Sequence, residues 1–108
     1  MRLHQSLTAA AGALLLTLAL PTSAHAAAGD FLYTASTGQT ASLADPQSGI
    51  CLNLPEATEE NPANSPQNFT DATATVFLET DCNGDTYTVM NPGKKLDTHT
   101  QLRSVIFS

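Results

Sequence analysis

Residues 79–89 read ETDCNGDTYTV and set Asp81, Asn83 and Asp85 at alternate positions around Cys82. That D-x-N-x-D spacing opens an EF-hand loop, in which alternating oxygens converge on a hard cation. The rest of such a loop is missing: its sixth position, a glycine, is Thr86 here, and its twelfth, a bidentate glutamate, is Pro92. Three oxygens without a further carboxylate hold calcium weakly. The stretch therefore reads as a polar hairpin turn, with Asp81, Asn83 and Asp85 as weak metal candidates and no cofactor expected.

Groups able to catalyse are as sparse. Beyond residue 26 there is one histidine, His99, and no G-x-S-x-G or H-E-x-x-H sequence to set a nucleophile or a zinc beside it. Asp97 lies two residues away, but DTHT reads as loop, so His99 is expected at the surface in water. Two of the carboxylates could meet for glycosidase chemistry, yet a domain of about 80 residues leaves little room for a cleft of several hundred Å³. No catalytic site is expected, and the chain does not read as an enzyme.

The N-terminal segment carries an address. Residues 1–26 begin with Met-Arg-Leu-His, continue with an apolar run from Leu7 to Leu20, and end in PTSAHA with small residues at Ala24 and Ala26. This is the pattern of a secretory signal peptide cut after Ala26. The apolar run, about 14 residues long, falls short of the roughly 20 that span a bilayer. Secretion leaves residues 27–108, in which Lys94, Lys95 and Arg103 face ten carboxylates, a net charge of −7. Nucleic acids and anionic membranes are bound through clusters of Lys and Arg, so neither is an expected partner. A monomer is expected.

A domain this small has a marginal core and benefits from a covalent staple. Cys51 and Cys82 both lie in the exported part, where an oxidising compartment favours their pairing. The alternatives are two free buried thiols or a thiolate metal pair, the latter disfavoured by the absence of C-x-x-C spacing.

The elements that must position these groups have a period of two. DFLYTAS, ATATVFLE, TYTVM and LRSVIFS read as short strands, and STGQ, DPQSG, CNGD and NPGK between them read as turns. In NPGK, Pro92 and Gly93 suit the two central positions of a type II turn. The class is all-β, a small sandwich or Greek-key barrel. Residues 55–68, PEATEENPANSPQN, are acidic, hold three prolines and have no apolar side chain larger than alanine; they read as an exposed connection between two halves. The Asn68-Phe69-Thr70 triplet is an N-glycosylation sequon.

The halves share a spacing. Phe31 is followed by Ser36 and Gly38, and Phe77 by Cys82 and Gly84, at the same intervals; each half then ends in Ser-x-Ile, at Ser48 and at Ser104. With VFLETDCNGDTYTV and LRSVIFS, this spacing resembles the Greek-key motif of βγ-crystallin-type domains, and the segment from Asn68 to Gly93 is similar to small secreted bacterial proteins of that type. That group includes metalloproteinase inhibitors and killer-toxin-like proteins. The resemblance implies a crystallin-type sandwich, with Phe31, Gly38, Ser48, Phe77, Gly84 and Ser104 at motif positions. Cys82 and Ser36 depart from it, standing where the family has its second aromatic. The family's calcium hexapeptide is matched poorly by HTQLRS from His99 and LADPQS from Leu43.

Two functional expectations remain. The chain is either a secreted acidic module without a defined site or an inhibitor that blocks an extracellular protease with a preorganised loop. A calcium-binding module is a third, weaker reading. Candidate contact loops are 55–68 and NPGKKL, where Lys94 and Lys95 are adjacent cations on an acidic body.

Overall fold

The computed structural model describes residues 25–108. The expected signal peptide lies outside them apart from His25 and Ala26; there the Ser48 N–H donates to the His25 carbonyl and Ala26 bridges Gln47. The architecture is all-β. Gly29–Thr34 (β1), Thr40–Ala44 (β2), Ala63–Thr70 (β4) and Gln101–Leu102 (β7) form one antiparallel sheet in the order β2-β1-β4-β7. Cys51–Asn53 (β3), Ala74–Phe77 (β5), Tyr87–Met90 (β6) and Ser104–Phe107 (β8) form the second, in the order β3-β8-β5-β6. Arg103 alone separates β7 from β8, so the last strand changes sheet at one residue.

The sheets close on Phe31, Tyr33, Val76, Met90, Leu102, Val105 and Phe107, all buried. Phe31 of the first sheet meets Phe107 of the second edge to face, ring centroids 5.4 Å apart, the geometry the aromatic quadrupole favours. Alternation follows hydropathy in β5 and β8, where Val76, Val105 and Phe107 point inward. In β6 it does not. Burying Met90 fixes the register, and the period of two then turns Tyr87 and Val89 outward, 56% and 53% exposed.

The expected connection 55–68 is corrected. Only residues 55–62 connect; 63–68 belong to β4, an inner strand of the first sheet, with Ala63, Pro66 and Asn68 buried. Proline cannot donate to a ladder and is normally kept from inner strands. Here the β1–β4 register shifts between Leu32 and Thr34, and Ser65 takes a φ of 54°, so Pro66 is housed at a β-bulge.

Asn68 is buried because every polar group it brings is paired. Its side-chain amide donates to the Ala72 and Met90 carbonyls, both at 2.9 Å, and its Oδ1 accepts from the Thr70 N–H and hydroxyl. Its main chain bonds Lys94 and Gly93. A polar segment is thus held inside by complete hydrogen bonding, which composition does not reveal. With 0% exposure and both amide protons committed, Asn68 is no glycan acceptor in the folded chain.

Candidate functional site

Cys51 and Cys82 are bonded, the pairing expected from the sequence, with their Cα atoms 6.0 Å apart. The bond ties β3 to a single 3-10 turn, Thr80–Cys82, in the connection between β5 and β6. Asp81 and Cys82 both have positive φ, 60° and 51°, a conformation that costs a side-chain-bearing residue about 1–2 kcal/mol. Four hydrogen bonds beside the disulfide hold it. The Asn53 amide donates to Asp81 Oδ1 at 2.9 Å, and the Asp81 N–H donates to Asn53 Oδ1 at 2.7 Å. The buried Ser104 hydroxyl accepts from the Cys82 N–H at 2.9 Å and donates to the Glu79 carbonyl at 2.6 Å.

This geometry bears on the metal candidates. Asp81 spends one carboxylate oxygen on Asn53, and among the described residues no three His, Cys, Asp or Glu side chains converge on a point. Asp81, Asn83 and Asp85 form a latched turn. Gly84 (φ 91°) and Gly38 (φ 94°) both sit in left-handed turns, but only Gly84 is crowded, since a Cβ there would meet Glu79 Cγ at 3.1 Å. The Phe77 ring packs on Tyr87, centroids 5.6 Å apart, and Phe31 lies in the core. Ser48 makes its bond through the main chain, to His25.

The loop 55–62 is where the structure adds most. Arg103 reaches it from the strand switch: Nε donates to the Thr58 carbonyl at 2.7 Å, Nη2 to the Glu59 carbonyl at 2.6 Å and Nη1 to the Leu78 carbonyl at 2.9 Å. All three bonds are charge-assisted, the stronger class. The loop's two ends are fixed as well. Tyr33, nearly fully buried, donates its hydroxyl to Glu56 at 2.5 Å, and Thr58 and Asn61 close a small turn on each other. Burial, reinforced by the Glu56 carboxylate, holds the Tyr33 phenol well above its ordinary pKa. Thr58, Glu59, Glu60 and Asn61 are left exposed on a fixed backbone. Arg103 was not legible as a site residue; its one sequence signal is that it is the only arginine beyond residue 26.

The second expected contact loop lies elsewhere. Asn91–Lys94 form a turn closed by the Lys94 N–H and the Asn91 carbonyl, with Gly93 at φ 90° as a type II turn requires. Lys95 sits over the half-exposed ring of Phe69, 5.7 Å from its centroid, a cation–π contact. Lys94 and Lys95 thus pack beside the C-terminal part of β4, whereas loop 55–62 enters its first residue. The fold does not unite the two.

His99 is 90% exposed and touches Asp97 at 3.3 Å, and the His99 main-chain N–H holds the Asp97 carboxyl below its usual range. A cleft of about 180 Å³ opens beside it, lined by Leu78, Thr86, Thr88, His99, Thr100 and Gln101, smaller than the usual ligand pocket of roughly 300 Å³ or more. Among the described residues no helix is long and apolar enough to cross a membrane. Set against family models, curated proteins and solved structures, the chain matches none.

Proposed function

We propose that this chain is a small exported acidic module that acts by binding another extracellular protein, with loop 55–62 as its working surface and no reaction of its own. The observation that carries this reading is the Arg103 clamp. A loop held by two charge-assisted bonds at its carbonyls, from an arginine whose third bond anchors it to Leu78, and with its side chains turned to water, has lost most of its conformational freedom before it meets a partner. Binding then costs less entropy. Glu59 and Glu60 at the tip suit a partner with a basic cleft, and an extracellular protease is the class we favour, since such enzymes are blocked by rigid loops.

We place the fold nearest the βγ-crystallin-like group of small secreted bacterial proteins. The support lies in the second half, where Ser104 latches the folded-over segment after Phe77 and Gly84 packs against Glu79. The disulfide takes the place of the second motif aromatic there. Calcium gains no support from the geometry around Asp81.

The test is inhibition of a panel of secreted proteases, thermolysin-like metalloenzymes included, by the oxidised protein. Stoichiometric inhibition that weakens at least about tenfold in Arg103→Ala and in the Glu59→Gln, Glu60→Gln double variant is expected. Absence of binding to every enzyme at micromolar protein overturns the protease reading; inhibition unaffected by both variants overturns the loop assignment.

A further inference from the structure

The second sheet ends in a strand with an open side. β6 is bonded to β5 alone, and among the described residues no strand pairs with it on the other side. Register tells which of its groups face that opening. The Leu78 N–H donates to the Thr86 carbonyl directly opposite it, so Leu78 and Thr86 are a hydrogen-bonded pair. Such pairs alternate along an antiparallel ladder, so Val76–Thr88 and Ala74–Met90 are bonded, while Phe77–Tyr87 and Thr75–Val89 are not. The N–H and C=O groups of Tyr87 and Val89 therefore point away from β5, into the open edge. These same two residues carry the most exposed large apolar side chains of the described chain.

We propose that β6 is a self-complementary edge through which two copies of this chain pair antiparallel about a two-fold axis at Thr88. A closed dimer requires one patch to complement itself. With Thr88 opposite Thr88, Tyr87 of one copy faces Val89 of the other, twice by symmetry. Each of these pairs joins two residues whose backbone groups point outward, so both exchange their N–H···O bonds. Their side chains fall on the same outer face as aromatic–β-branched pairs, the kind that stabilises a ladder. Registers centred on Tyr87 or on Val89 also match outward-pointing residues, but they set Val89 against Asp85 or Tyr87 against Asn91, whereas the register at Thr88 sets both apolar residues against apolar partners.

Charge fits the same register. Between Asp85 and Lys94 the chain has no charged residue, and the pairing sets Asp85 opposite Asn91, so no carboxylates face each other across the seam. β6 also lacks the strand lysine or proline that natural edges use to prevent pairing. A four-residue seam buries less than the roughly 1,200 Å² of a stable interface, so the dimer is weak and reversible, with a dissociation constant on the order of 10⁻⁴ M. With a net charge of −7 on each copy beyond residue 26, added salt strengthens it by screening.

Sedimentation velocity of the oxidised protein, from about 10 µM to 1 mM and at about 0.05 and 0.5 M salt, tests this. The mass should rise from one copy toward two with concentration, and at lower concentration in high salt. Val89→Lys, at an exposed position, should raise the midpoint at least about tenfold, as should Tyr87→Lys, while Phe69→Lys on the other sheet's outer face leaves it unchanged. A mass of one copy at every concentration and salt overturns the proposal. So does a dimer that survives both β6 variants or dissolves with Phe69→Lys, since another surface would then hold it. A monomer that instead takes up an extended peptide on β6 would make the edge a docking strand for a foreign chain, and the self-pairing is overturned in that case too.

Discussion

The two halves begin alike and end differently. From Phe31 to Gly38 and from Phe77 to Gly84 the spacing is the same, and both glycines take the same left-handed φ. After the first, the chain makes a short hairpin closed by its own backbone, with the Ala35 N–H donating to Gln39 and the Gly38 N–H to Ala35. Around the second, it folds back over β8 into an irregular turn with two strained residues, fastened by Ser104, Asn53 and a disulfide. A shared spacing therefore specifies the glycine φ alone. What decides the rest is whether distant residues are placed to meet the segment. Ser104 is; Ser48, tied by its main chain to His25, belongs to the N-terminal edge instead.

Removing the staple is the strongest way to break the contrast. The Cys51→Ser, Cys82→Ser double variant should lose roughly 3–4 kcal/mol of unfolding free energy in urea, the chain-entropy value for a loop of about 32 residues. Loss below about 1 kcal/mol would mean that the hydrogen-bonded latches alone hold the second turn. Next in size is Ser104→Ala, which orphans the Glu79 carbonyl and the Cys82 N–H and should cost about 2 kcal/mol. Ser48→Ala should stay within about 0.5 kcal/mol. Equal costs at the two serines would erase the difference between the halves.

The smallest effect belongs to the first half and depends on pH. The Tyr33 phenol is held above its ordinary value near about 10 by burial and by Glu56. Its contribution is fully present below that value and is lost as the pH climbs through the higher folded one, because the unfolded chain releases the proton first. Stability should thus fall from about pH 10 upward, and Tyr33→Phe should remove that slope. Amide exchange at residues 55–62 should quicken with it, since Glu56 anchors that loop, while residues 79–82 stay protected. A slope unchanged in Tyr33→Phe would assign the alkaline loss to another group.

Local chemistry was the legible part. Period-two patterning in DFLYTAS, ATATVFLE, TYTVM and LRSVIFS, the NPGK turn and the cysteine pair all follow from forces acting within a few residues or from compartment, and they predicted strands β1, β5, β6 and β8, the turn and the bond. What could not be read depends on long-range meetings. Residues 63–68 look like linker by composition, yet they fill an inner strand because a bulge houses Pro66 and a complete set of partners buries Asn68. Arg103 looks like a surface cation until β7 gives way to β8 beside Leu78, Thr58 and Glu59. Tyr87 and Val89 alternate as a buried face would, but Met90 claims the interior.

Asn68 has one more consequence, for how the protein is made. Its side chain is the hydrogen-bonded keystone between β4 and β6, and it is also the acceptor of an intact sequon. A sugar attached to the chain before folding would occupy the amide nitrogen that must reach Ala72 and Met90, so glycan and native packing exclude each other. In a host that glycosylates its secreted proteins, yield would be set by a race between folding and the glycosylation machinery. Molecules that lost the race would be misfolded and sugar-tagged, and every properly folded molecule would be bare at this site.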